Sequence, residues 1–147
     1  MPEVKFPFIS ASHLILFKDD RVLLSRRFQT GWKDGYYSVI AGHIDGKETV
    51  AGNMVREAKE EGNIDLIESA LEVVHTMHRI TDYGAEYMDF FLVPKTWSGE
   101  PTIMEKDKCD DLHWFLINEL PENTVPYVRS AIENVQKGIT FSEWREN

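Results

Sequence analysis

The sequence predicts an α/β (α+β) domain in which a mixed β-sheet is packed between helices, one on each face. Three observations predict it. At 147 residues the chain fits one domain, expected to occupy residues 1–147, and leaves little room for a second. Short β-prone runs outnumber the two helical stretches. Runs and helices do not alternate as regular βαβ units, which argues against a wholly parallel sheet.

The elements follow from the residues in order. Residues 11–17 read as a strand, Lys18-Asp19-Asp20 as a turn and residues 22–26 as a second strand. Residues 31–35 form a loop and residues 36–40 are extended. Residues 66–80 are mostly β-prone, with Val73, Val74 and Ile80 among their β-branched side chains. Residues 87–93 are an apolar run stopped by Pro94, and residues 112–117 are another of similar length. Residues 48–61 are helical, with Val50, Ala51, Met54, Val55 and Ala58 at helical spacing and Gly62-Asn63 as the stop. Residues 125–137 place Val128, Ala131, Ile132 and Val135 on one side of a second helix that ends at Gly138.

Composition narrows the function. There are 25 Asp and Glu against 16 Lys and Arg, a formal charge of −9. Stable binding to nucleic acid or to an anionic membrane wants a basic face, and neither is expected here. An anionic substrate would have to be drawn in by something else, and a divalent cation held by carboxylates would do so. Cys109 is the only cysteine, which excludes an internal disulfide and favours a reducing compartment. The first seventeen residues lack a basic region followed by a long apolar block. No signal peptide is expected, and the cytoplasm is the expected location.

Residues 42–64 carry the chemistry: GHIDGKETVAGNMVREAKEEGNI. On a helix Glu57, Glu60 and Glu61 stand at i, i+3 and i+4, so their carboxylates share one face. Like charges repel there, and a hard divalent cation, which takes oxygen ligands and keeps several waters, would reverse the sign. An acidic helix face is also an ordinary solvated surface, with Arg56 in a surface ion pair and Glu48 near a helix N-terminus. On spacing alone that plainer reading is the stronger.

The whole string resembles the Nudix hydrolase signature, G-x5-E-x7-R-E-U-x-E-E-x-G-U with U aliphatic. Eight of its nine specified positions match at the required spacing: Gly42, Glu48, Arg56, Glu57, Ala58, Glu60, Glu61 and Ile64. Asn63 stands where the family has glycine, at a helix end that often needs a left-handed backbone, and asparagine is the best substitute there. Arg26-Arg27, the approach at residues 36–41, Gly99-Glu100-Pro101, His113-Trp114 and Leu120-Pro121 look like the MutT-like branch. The similarity covers residues 11–137 and implies the Nudix-type α/β/α sandwich with a mixed sheet.

The resemblance also implies roles. Glu57, Glu60 and Glu61, with the Gly42 carbonyl, would ligate Mg²⁺ or Mn²⁺. Glu48 and Arg56 would form an ion pair that holds the loop against the helix. Glu60 would help deprotonate the attacking water, and Glu105 occupies the position of a further MutT-branch glutamate, as a ligand or base; beside Lys106 and Lys108 it also reads as a solvated acid. The catalytic set is then Glu57, Glu60, Arg56 and Glu105. Arg27 would contact phosphate or nucleotide, or is a surface arginine on an edge strand. Trp32, Tyr36, Phe28 and Trp114 are aromatic candidates for a base. Asn123 matches by position an asparagine used on a purine base, and would serve equally as an N-cap for the last helix alongside Thr124. His43, His75, His78 and His113 show no zinc spacing.

The expected activity is hydrolysis of a nucleoside diphosphate linked to another group. Nucleoside triphosphates, including oxidised or non-standard ones, come first, giving monophosphate and pyrophosphate. Dinucleoside polyphosphates, nucleotide sugars and RNA 5′ ends are the alternatives. A nucleotide-sensing domain without catalysis is the reading from another class, though such domains typically lose signature carboxylates and this chain keeps them. The expected partner is a small nucleotide, and the chain a monomer or homodimer.

Overall fold

The computed structural model describes residue 3 and residues 5–147. Chain order is β1 (Ile9–Leu14), β2 (Phe17–Lys18), β3 (Arg21–Arg27), β4 (Tyr37–Ser38), β5 (Ala41–His43), α1 (Val50–Gly62), β6 (Asp65–Leu66), β7 (Leu71–Ile80), β8 (Glu86–Pro94), β9 (Trp97–Ser98), β10 (Cys109–Leu116), α2 (Pro126–Gln136) and β11 (Phe141–Arg145). Short 3₁₀ turns fill Glu68–Ala70 and Ile117–Glu119. A mixed five-stranded sheet runs β11-β7-β8-β1-β5, and a second sheet runs β10-β3-β2 with β4 on β3. β6 pairs with β9 alone. Among the described residues no helix is long and apolar enough to cross a membrane.

Two runs that the sequence reads as single strands are each divided between the two sheets. Residues 11–17 begin as β1 beside β8 and finish as β2 beside β3. Ile15 still donates its N–H to Leu92 of the large sheet at 2.9 Å, while the Leu16 carbonyl already accepts from Leu23 of the other at 3.0 Å. Residues 36–40 do the same: β4 pairs with β3, and the Ile40 carbonyl then accepts from Leu14 at 2.8 Å before β5 joins β1. Both handovers happen at one place, where the Leu14 N–H meets the Ile40 carbonyl. The stretch 66–80 is interrupted by a 3₁₀ turn and becomes β6 and β7.

The large sheet is covered on both faces. Side chains alternate along a strand, so Leu14 and Leu92 face α1 with Met54 and Ala58, while Ile15, Met77 and Phe91 pack with Val128, Ala131 and Ile132 of α2. β11 went unread in the sequence. It adds a parallel edge strand on β7, with Phe141 and Trp144 opposite Thr76 and Arg79.

The helix ends correct the sequence reading in detail. α1 starts at Val50 rather than Glu48, because Thr49 is the N-cap and its Oγ1 accepts from the Gly52 N–H at 2.9 Å. Asn63 is the C-cap, with φ 56° and ψ 34° in the left-handed region. α2 has no side-chain cap, so Asn123 and Thr124 do not cap it. Residues 123–125 instead bridge to Tyr37, whose N–H donates to Asn123 at 2.7 Å and whose carbonyl accepts from Val125 at 2.8 Å. Pro126 opens the helix and has no N–H to satisfy.

The left-handed backbone at Asn63 makes a stability prediction. Asn63→Gly should stay within about 1 kcal/mol of the wild type, whereas Asn63→Val should lose about 2 kcal/mol, since a β-branched residue resists positive φ. Urea unfolding midpoints at constant m-value check both.

Candidate active site

The loop before α1 is fastened by charge. Glu48 accepts from Arg56 twice, from Nη2 at 2.8 Å and from Nε at 3.2 Å. These bonds and one from Asn53 Nδ2 at 2.8 Å hold the Glu48 carboxyl down to about 2. Asn53 is fully buried, and its amide also donates to the His43 carbonyl at 2.9 Å. Its carbonyl oxygen accepts from the Ser12 hydroxyl of β1. Sequence reasoning missed Asn53; the available signal was an amide on the inward side of an amphipathic helix.

Arg56 reaches the other carboxylates through Nη1, which stands 3.1 Å from Glu57 Oε1 and 3.1 Å from Glu60 Oε2. It faces the loop and these acids and is absent from the cleft wall, which makes it a positioning residue. A Cβ on Gly42 would stand 2.2 Å from Glu57 Cδ and 2.3 Å from its Oε1. Glycine at the middle of β5 therefore leaves the space that the Glu57 carboxylate fills.

Glu105 is brought in by the loop that closes the helix end. Thr102 N–H donates to the Gly62 carbonyl at 2.9 Å and Met104 N–H to the Glu61 carbonyl at 3.4 Å, satisfying two carbonyls that the helix leaves open. Gly99, at φ 98°, is required there because a Cβ would come 2.7 Å from the Asn63 carbonyl oxygen. Burial pushes the Glu61 carboxyl up to about 9, helped by a hydrogen bond with Glu57 and by the charges of Glu57 and Glu105, with Lys108 opposing.

Glu57, Glu60, Glu61 and Glu105 line one cleft of about 610 Å³ with Arg26, Arg27 and Lys108. Arg26 is engaged by Asp110 at 2.7 Å. Among the described residues no three acidic, histidine or cysteine side chains are already drawn together as a closed ligand set. The donors nevertheless fit a hard divalent cation: all are oxygens, they face an open cleft, and Glu61, buried and set among other carboxylates, does not ionise readily without a positive partner. Cys109 lines the same cleft with its thiol pushed up by burial, which suits no nucleophile.

A second cleft of about 530 Å³ adjoins the first and shares Arg27, Ala41 and Tyr127 with it. Trp32, Tyr83, Tyr87 and Tyr127 give it aromatic walls, and His13 and Arg79 lie on its sheet side. Arg27 sits between the clefts, its Nε donating to the Trp32 carbonyl at 2.7 Å and its guanidinium 4.9 Å from the Trp32 ring. Four sequence candidates fall outside both clefts. Tyr36 lies beside Lys33, 5.3 Å from ring centre to Nζ. Asn123 donates its amide to the Gly35 carbonyl at 2.7 Å. Trp114 is turned to Trp97 in the α1-side core, and Phe28 lines neither cleft. His13, Arg79, Asp89 and the three tyrosines went unread, although Asp89 inside an apolar run was a signal.

Glu61 gives the site a pH signature. Its ordinary value of 4.5 rises to about 9 on folding, so the folded protein binds the extra proton between those limits. Its contribution to stability is full below pH 4.5 and is lost as the pH rises toward 9. In EDTA, Glu61→Gln should gain melting temperature over the wild type steadily from about pH 5 to about pH 8.5. Saturating Mg²⁺ should shrink that gain; calorimetric scans across pH measure both.

Comparison with known proteins places the chain. The family model of the NUDIX domain matches residues 7–135. A protein named NAD-capped RNA hydrolase NudC from Pseudomonas entomophila is 32% identical over 125 residues, covering 79% of this chain and 40% of that protein. Its namesake from Pseudomonas aeruginosa is 27% identical over 124 residues, 80% of this chain and 40% of that one. The chain thus spans about two fifths of the length of these relatives. The crystal structure of a MutT NUDIX hydrolase from Burkholderia pseudomallei superposes with a TM-score of 0.79 at 25% identity, over 86% of this chain and 97% of that one. A NUDIX hydrolase from Nitrosomonas europaea shares the fold, with a TM-score of 0.77 at 20% identity over 92% and 93% of the two chains. With the signature spacing, the loop–helix geometry and a family match over most of its length, the chain belongs to the Nudix hydrolase family.

Proposed function

We propose that the chain is a Mg²⁺- or Mn²⁺-dependent pyrophosphohydrolase acting on a nucleoside diphosphate linked to another group. Nucleoside triphosphates, cleaved to monophosphate and pyrophosphate, are its first substrate class. The observation that carries this reading is the gathering of Glu57, Glu60, Glu61 and Glu105 on one cleft beside Arg27 and Lys108. These glutamates and the Gly42 carbonyl would hold the cation. When bound, such an ion neutralises phosphate oxygens and makes a water more acidic.

The protein's own groups do the rest. Arg27 and Lys108 draw the phosphates to a strongly acidic protein and fix their direction. Glu60 is half exposed and already oriented by Arg56, so it is the carboxylate that takes the proton from the attacking water. The water oxygen bonds to phosphorus, and the bond from that phosphorus to the bridging oxygen breaks. The bridging oxygen leaves with the departing phosphate. Glu105 lines the same cleft as the other candidate base.

A second reading is a dinucleotide diphosphate or an RNA 5′ end carrying one. The adjoining aromatic cleft favours it by offering room for a ring beyond the phosphates, and the two Pseudomonas relatives bear the name NAD-capped RNA hydrolase. Both readings use the same carboxylates.

A panel of ordinary and oxidised nucleoside triphosphates, dinucleotides and nucleotide sugars, with products resolved by chromatography, tests the proposal. Turnover should need Mg²⁺ or Mn²⁺ and vanish in EDTA. Glu60→Gln should lower kcat by at least about 10²-fold with little change in melting temperature. Tight nucleotide binding with no turnover would make the chain a sensor and sink the enzymatic reading.

A further inference from the structure

His13 lies in the sheet-side wall of the second cleft, only 3% exposed, and every feature around it fixes the ring. It stacks on Phe91, with centroids 4.5 Å apart and planes 16° from parallel, and meets the edge of Tyr127 at 5.9 Å. Its Nε2 is 2.9 Å from Asp89 Oδ1. Asp89 is fully buried and also accepts from Arg79 Nε at 2.7 Å and Nη2 at 3.3 Å. Arg79 in turn is sandwiched between Tyr87 and Tyr127, at 4.0 and 3.9 Å from their ring centres.

Chemistry then assigns the proton. An ionised carboxylate only accepts, so Nε2 carries the hydrogen. Arg79 is held by Asp89 through two N–H bonds and stands 3.6 Å from Glu146, so a cation already serves the carboxylates here, and an imidazole carrying its one hydrogen on Nε2 completes the network. Nδ1 is left as a bare acceptor, and it is buried with no hydrogen-bond partner among the described residues. Buried polar atoms in folded proteins nearly always have a partner, and those that lack one call for an explanation.

We infer that His13 is a specificity-determining residue whose Nδ1 accepts a hydrogen bond from an amino or carboxamide N–H on the edge of a planar ring held in the second cleft. The inference rests on the nucleotide-hydrolase reading above and adds to it the chemistry of the group that this site selects. Aromatic walls tolerate any flat ring. A preset acceptor distinguishes rings by their edges, because an analogue without the donor leaves Nδ1 unpaired. The Asp89–Arg79 pair acts behind His13 as a positioning device.

The test uses substrate pairs that differ in the donor: ATP and purine riboside 5′-triphosphate, GTP and ITP, NAD and nicotinic acid adenine dinucleotide. In at least one pair the wild type should show a KM lower by about tenfold for the amino or carboxamide member. His13→Phe keeps the stack and removes the acceptor together with the Nε2–H bond to Asp89, which Arg79 still pairs; it should bring that preference within about twofold by raising KM for the amino or carboxamide member. His13→Gln, which retains an acceptor, should restore part of it. A preference that survives in a folded His13→Phe, or an equal loss of kcat on every substrate, overturns the inference. A second measurement needs neither variants nor turnover. In the ¹⁵N-histidine spectrum of the wild type, the His13 Nδ1 signal should move upfield with methylene-bridged, non-hydrolysable nucleotides bearing the donor and stay put with those lacking it. No such difference overturns the inference. Failure of the wild type to hydrolyse any of the six compounds strikes the hydrolase proposal instead, and the spectra still decide the role of His13.

Discussion

One guanidinium, that of Arg56, is shared among Glu48, Glu57 and Glu60, and the position of the loop against α1 depends on it. Glu48 is the loop's end of the arrangement, and Asn53 ties the same carboxylate to β1 through Ser12. Glu57 is the helix's end, and it lies in the space that Gly42 leaves vacant. An arginine suits the place because its planar fork meets several carboxylate oxygens at once, which an ammonium cannot do in fixed geometry. Arg56 nonetheless balances only part of the local charge. Glu61, buried and crowded by Glu57 and Glu105, holds its proton far above the usual carboxylate range.

The clefts follow from the way the two sheets share segments. Residues 14–16 and 38–41 pass from one sheet to the other at the same point, and the first cleft is lined there by residues 38–41, by β3 and β10 of the smaller sheet and by the glutamates of α1. The face of the large sheet that packs on α2 through Ile15, Met77 and Phe91 continues past the helix as Ala11, His13, Arg79 and Tyr87. The same alternation that builds a core at one end of these strands thus builds a pocket wall at the other. The residue type changes where the helix stops covering them: apolar side chains give way to aromatic and charged ones, and the buried charges are paired. Removing one partner from a buried pair such as Arg79–Asp89 typically costs about 3–5 kcal/mol, so this wall is structural as well as selective.

What the sequence made legible was local. The three glutamates on one helix face follow from the helical period alone, and the spacing of Gly42, Glu48 and Arg56 identified the family before any fold was known. Both helices, and a sheet covered on two faces, followed from periodicity. The failures were non-local. Asn123 carries a good capping side chain, but the bridge from Tyr37 keeps its segment extended and Pro126 removes the need for a cap. The run 11–17 looks like one strand because β-propensity is blind to which sheet supplies the partner. β11 and the His13–Asp89–Arg79 network depend on pairings between residues 10 to 76 positions apart, which no window along the chain displays.

On the proposed reading, Glu57, seated against Gly42, completes a cation site with Glu60, Glu61 and Glu105. The most direct measurement is Mn²⁺ binding by electron paramagnetic resonance, comparing the wild type with Gly42→Ala. The account predicts saturable Mn²⁺ binding in the wild type that weakens by at least about tenfold in Gly42→Ala, with an unchanged circular dichroism spectrum, because the new Cβ displaces the Glu57 carboxylate. Equal Mn²⁺ binding by the two folded proteins would contradict it.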